Sequence, residues 1–136
     1  MIGYLIQWDN AEKTVVLQQY TDNPVKDDLY HLAEESALML KSVPHTVHLI
    51  INEHTFKLRL SSADINFLER NVPTNQGAVV MVVSKSGQSY KKLMQNVGKT
   101  LAPNAFKQNF FVTTVEEARQ LLQEQFEVHY PQSALS

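Results

Sequence analysis

Ala78-Val79-Val80-Met81-Val82-Val83 is an unbroken apolar run between the turn-prone Asn75-Gln76-Gly77 and the hydroxyl-rich Ser84-Lys85-Ser86-Gly87. It is too short for a helix. It also lacks the alternation of a strand with one wet face, so it reads as a central strand covered on both sides. Val47-His48-Leu49-Ile50-Ile51 has the same character. Two such runs separated by helical patterns predict parallel strands joined by crossovers, the signature of an α/β fold.

The remaining elements follow outward from these two. Tyr4 to Trp8 and Thr14 to Tyr20 are β-prone runs around the polar Asp9-Asn10-Ala11-Glu12-Lys13, which predicts a hairpin. Asn23-Pro24 reads as an N-cap and first-turn proline, opening a helix that Pro44 ends. That helix places Leu29, Leu32, Ala33, Ser36, Ala37 and Leu40 on one face, with Asp27, Asp28, Glu34 and Glu35 elsewhere. Ser61-Ser62-Ala63-Asp64 has the form of a capping box for a short helix through Arg70, with Ile65 and Leu68 facing inward. A further helix is predicted from about Gln88 to Lys99, with Tyr90, Leu93, Met94, Val97 and Leu101 on its apolar stripe. Phe110-Phe111-Val112 is a last strand. Thr114-Val115-Glu116-Glu117 then caps a closing helix carrying Ala118, Leu121 and Leu122. The predicted order is β-β-α-β-α-β-α-β-α.

Composition narrows the function classes. An apolar fraction of 43% with 19% charged residues is that of a chain that buries a core. A net charge of -2, with basic residues scattered, gives no electrostatic case for nucleic acid. The absence of cysteine excludes disulfides, thiol catalysis and thiolate zinc sites. The N-terminus lacks a basic n-region, and no run approaches the ~20 apolar residues that cross a bilayer. A cytoplasmic chain without transmembrane insertion is the expectation.

The chemistry-bearing residues are few. His45 and His48 are three apart, which on a strand points them to opposite faces and prevents shared chelation. His31 beside Asp27 and Asp28 is a solvated helix cluster. Glu53-His54 has no third group to orient the imidazole. No catalytic residue, metal site or cofactor is therefore predicted. Ser84, Lys85, Ser86, Gly87 and Ser89 combine hydroxyls, a glycine, a cation and a helix start, the parts of an anion site. A serine-capped helix entry accounts for the same residues and is the commoner reason for them. Loops after parallel strands share one edge, where ligands bind, and that edge would also gather Asn52 and Thr113.

Trp8-Asp9-Asn10 before a hairpin, Val47 to Asn52, Ala78 to Val83, and Val112-Thr113-Thr114-Val115-Glu116-Glu117-Ala118-Arg119 together resemble the SpoIIAA-like branch of the STAS domains, over roughly residues 3 to 125. That group includes anti-sigma-factor antagonists and shares an architecture with the CRAL-TRIO lipid-binding domains. The resemblance implies a right-handed β–α superhelix: a mixed, mostly parallel sheet with an N-terminal hairpin, strands roughly in sequence order and helices packed on it. The antagonists carry an Asp-Ser-(Ser/Thr)-Gly motif after the third strand, whose serine a partner kinase phosphorylates. Asn52-Glu53-His54-Thr55 stands there instead, so the switch is not carried over.

The sequence thus predicts an α/β domain over residues 1–126 with a flexible polar tail over 127–136. Its expected role is that of a non-enzymatic interaction module whose partner is another protein or a second copy. The alternative is a binder of a small anionic or lipid ligand at the carboxyl edge of the sheet.

Overall fold

The computed structural model describes residues 4–20, 25–52, 61–83, 104–105 and 108–130. Strands β1 (Tyr4–Trp8), β2 (Val15–Tyr20), β3 (Val47–Asn52), β4 (Gln76–Val82) and β5 (Asn109–Val112) form one sheet in the order β1-β2-β3-β4-β5. Only β1 and β2 are antiparallel; every later pair is parallel. Among the described residues the helices are α1 (Lys26–Lys41), α2 (Ser62–Arg70) and α3 (Val115–Phe126).

The continuous apolar runs are explained by helices on both faces. On one face Val16, Leu49, Val79 and Met81 meet Leu40 of α1 and Ile65 of α2. On the other, Leu17, Ile50, Val80 and Val82 meet Ala118 and Leu122 of α3. α1 links β2 to β3 and α2 links β3 to β4, so two successive steps in one direction put both helices on one face. That is the result of repeating a single crossover hand. Ile50 and Val80 are fully buried at the centre.

The capping signal at α2 holds in both halves. Ser61 Oγ accepts the Asp64 N–H at 3.2 Å, and Asp64 Oδ2 accepts the Ser61 N–H at 2.8 Å. At α3 only one half forms: Thr114 Oγ1 accepts the Glu117 N–H at 3.0 Å, while Glu117 Oε1 takes the Thr113 hydroxyl at 2.5 Å.

Several expectations are corrected. The N-cap of α1 is Val25, whose N–H donates to Asp28 Oδ2 at 2.8 Å, and Asp28 is buried rather than on a solvated flank. Asn23 lies outside the described residues, as does the helix predicted over Gln88–Lys99. The turn expected at Asn75-Gln76-Gly77 falls at Thr74–Asn75, and Gln76 already pairs with Val47. Asn75 instead closes α1: its Nδ2 donates to Leu40 O at 2.8 Å and His45 O at 2.8 Å, satisfying carbonyls a helix end leaves open.

Gly77 has another task. The β3–β4 register slips between Val47/Leu49 and Gln76/Val79, leaving Gly77 and Ala78 out of the ladder. The Ala78 N–H donates to His48 Nδ1 at 2.9 Å, and a Cβ on Gly77 would sit 2.5 Å from that same nitrogen. The imidazole at 48 and the missing side chain at 77 are therefore matched across the bulge.

Of residues 127–130, expected in the flexible tail, Val128 is buried and Tyr130 half-buried, while Glu127 and His129 are exposed. Glu127 adopts φ 56°, turning the chain back so that Val128 enters the core and its N–H reaches Leu122 O at 3.2 Å. Residues 131–136 lie outside the described chain.

Candidate functional site

β2 to β5 run the same way, so their carboxyl ends share one edge. Asn52 stands in register with Gln19 and Val82, and Val82 with Val112. Thr113 follows Val112, so it lies two strand spacings from Asn52, roughly 10 Å. The sheet thus brings these two predicted residues to one edge without placing them in contact. Asn52 is half-buried. The Thr113 hydroxyl is engaged by Glu117 and so belongs to the first turn of α3. Ser84, Lys85, Ser86, Gly87 and Ser89 lie outside the described residues, as do Glu53 and His54.

The two histidines are separated because His45 lies in the bend before β3 and His48 lies within the strand. His45 is exposed, its Nε2 2.8 Å from Lys13 O. His48 is buried against Phe126, ring centroids 4.9 Å apart, and burial lowers its pKa. Its Nδ1 accepts a backbone N–H, so the neutral ring carries its proton on Nε2. Among the described residues no group of three His, Cys, Asp or Glu side chains could hold a metal.

Two polar clusters have no counterpart in the sequence reading. In the first, the Asp9 carboxylate has both oxygens engaged. Oδ1 accepts Arg119 Nη2 at 2.8 Å, and Oδ2 accepts Arg119 Nε at 3.0 Å and the Tyr130 hydroxyl at 2.5 Å. The Asp9 side chain is 2% exposed and that of Arg119 26%, so this is a bidentate pair with a buried carboxylate. Burial, then the adjacent carboxylate, pushes the Tyr130 pKa up, and Asp9 raises that of Arg119. Beside it, Asn10 accepts the Thr14 N–H at 2.9 Å and donates to His129 O at 3.1 Å. The first hairpin turn is thereby fastened to the segment after α3.

In the second cluster, Asp64 on α2 receives the Lys26 ammonium and the Tyr30 hydroxyl from α1 besides its capping bond. Burial pushes the Asp64 pKa up, but these donors outweigh it and hold the carboxyl well below its usual range. Tyr30 stacks edge-on against Phe67 at 4.4 Å. Both clusters join elements distant in sequence, and the second lies at the N-terminal ends of α1 and α2, on the side of the sheet where β2 and β3 end. An open depression of about 380 Å³ on α2, lined by Ala63, Asn66, Glu69 and Arg70, includes none of the residues predicted at the carboxyl edge.

Apolar exposure is confined to Leu5, Val25 and Leu38 among the large hydrophobic residues described. No described helix is long and apolar enough to cross a membrane. No family model, no curated protein and no solved structure matches the chain.

Proposed function

We propose that the chain is a non-enzymatic protein-interaction module of the SpoIIAA-like STAS type, working without the phosphorylated-serine switch. The observation that supports this reading is the order of the sheet. An antiparallel hairpin is followed by three parallel strands in sequence order, with α1 and α2 together on one face. The strand order agrees with the sequential order the resemblance implies, and a right-handed β–α superhelix would also place two successive helices on one face. The buried ionisable groups support it too: Asp9, Asp64 and His48 each hold elements together through partners within the chain.

Native mass spectrometry of the chain isolated from its own cells tests the proposal. The expected spectrum contains polypeptide-only assemblies, with no phosphate on Thr55. A lipid or anionic metabolite retained in the native spectrum and lost on denaturation would overturn it in favour of a ligand binder. Stoichiometric phosphate on Thr55 would restore the switch.

A further inference from the structure

β1 stands at the edge of the sheet, and its outer side is unpaired among the described residues. Edge strands are usually protected by a lysine, a proline, a bulge or very short length, because free N–H and C=O groups template further pairing. Tyr4-Leu5-Ile6-Gln7-Trp8 has no charge and no proline, and its register with β2 is unbroken from Tyr4↔Tyr20 to Trp8↔Val16.

The backbone phase of β1 can be read from its partner. The Asp9 N–H donates to Val15 O at 2.8 Å, so the groups of Gln7 and Leu5, two and four residues back, also point at β2. Those of Tyr4, Ile6 and Trp8 point outward. We propose that this edge is a homodimer seam, in which β1 of two copies pair antiparallel about a two-fold axis through Ile6. The proposal rests on the interaction-module reading and names its partner.

This register is self-complementary. Ile6 faces Ile6 of the second copy, and Tyr4 faces its Trp8, so every outward N–H and C=O of the three residues finds a partner. Moving the axis by half a residue would set outward groups against inward ones. Moving it by one would leave Tyr4 or Trp8 without a partner in the row. The charges agree with the same register. Glu35 accepts the Tyr4 hydroxyl at 2.6 Å, and the Lys13 ammonium lies 5.9 Å from the Trp8 ring centroid. With Tyr4 opposite Trp8 of the second copy, the acid of one copy and the base of the other meet at each end of the seam. On the opposite face Leu5, 63% exposed, comes to lie beside Gln7 of the second copy. Leu38, 69% exposed and three residues beyond Glu35 on α1, flanks the seam.

The test uses the full chain, with mass measured by sedimentation and amide exchange followed residue by residue. Wild type should pass from one to two copies between about 1 μM and about 500 μM, the range of a modest interface. In step with that change the amides of Tyr4, Ile6 and Trp8 should gain protection, while those of Leu5 and Gln7 are protected throughout. Both positions are exposed, so charges there leave the fold intact. Leu5→Lys with Gln7→Lys sets like charges opposite one another twice per dimer and should weaken association about 10-fold or more. Leu5→Lys with Gln7→Glu sets opposite charges there and should restore it. A mass that stays monomeric, a doubled mass without protection at Ile6, or equal association of the two double variants would overturn the seam. The first of these would leave the interaction-module reading standing. A retained small molecule would overturn that reading without altering the mass of the assembly.

Discussion

Replacing Gly77 by alanine tests the most exacting contact in the sheet. The added Cβ would meet His48 Nδ1 at 2.5 Å, His48 Cε1 at 2.7 Å and Thr46 Cγ2 at 2.8 Å. Thr46 is exposed and can rotate away. The His48 ring cannot do so easily, since Phe126 lies 4.9 Å off and the Ala78 N–H holds its Nδ1. If the ring is forced aside, overpacking costs about 1–3 kcal/mol. The buried Ala78 N–H then loses its acceptor, at about 1–3 kcal/mol more. Gly77→Ala should therefore destabilise by roughly 2–6 kcal/mol in urea unfolding, with an unchanged slope. In a His48→Ala background the clash is gone, and the same substitution should cost less than about 1 kcal/mol. A Gly77→Ala variant within about 0.5 kcal/mol of wild type, or an equal cost in both backgrounds, would refute the account of the bulge.

Four further outcomes follow from buried groups. Because burial lowers the folded pKa of His48 below its unfolded value near 6.5, the unfolded chain binds the extra proton as pH falls below that value. Stability should be full above about pH 6.5 and decline below it by up to about 1.4 kcal/mol per pH unit, and His48→Gln should flatten that slope in pH-dependent melting. Tyr130→Phe should cost about 1.5–3 kcal/mol through its lost bond to Asp9, and ending the chain after Phe126 roughly 3–5 kcal/mol, both read in urea. A truncated chain as stable as the full one would show that residues 127–130 are not packed. Val80→Asp should cost about 4 kcal/mol or more, since Val80 is fully buried between Ile50 and Phe110; an unchanged melting temperature would refute its burial.

What was legible in the sequence is what local periodicity encodes. Ala78 to Val83 and Val47 to Ile51 announce central strands because both faces of each are covered. Ser61 with Asp64 announces a helix start because both halves of the cap lie within one turn. Gly77 misled, since Asn-Gln-Gly looks like a turn while the glycine answers to a histidine on the neighbouring strand. Asp28 misled in the same way: early in a helix an aspartate is ordinarily solvated, and only the packed fold buries it. Asp9, Arg119 and Tyr130 gave no signal, because their separations of 110 and 121 residues put the partners beyond any local pattern. At the carboxyl edge, Asn52 and Thr113 were placed correctly at the strand ends, but the Glu117 that engages Thr113 was read only as part of a cap.

The fastening of Asp9 by Arg119 and Tyr130 also bears on how the molecule is made. A ribosome delivers Asp9 early, yet its guanidinium partner is synthesised 110 residues later and its phenol 121 residues later. A nascent chain that ends before Arg119 has a carboxylate in the first hairpin with nothing to neutralise it once water is excluded. Closing so long a loop costs conformational entropy, so this contact is among the least local in the fold. Without α3 the apolar side chains of Leu17, Ile50, Val80 and Val82 would lose their cover on that face. A chain cut before Arg119 should therefore be far more prone to aggregate than the whole one.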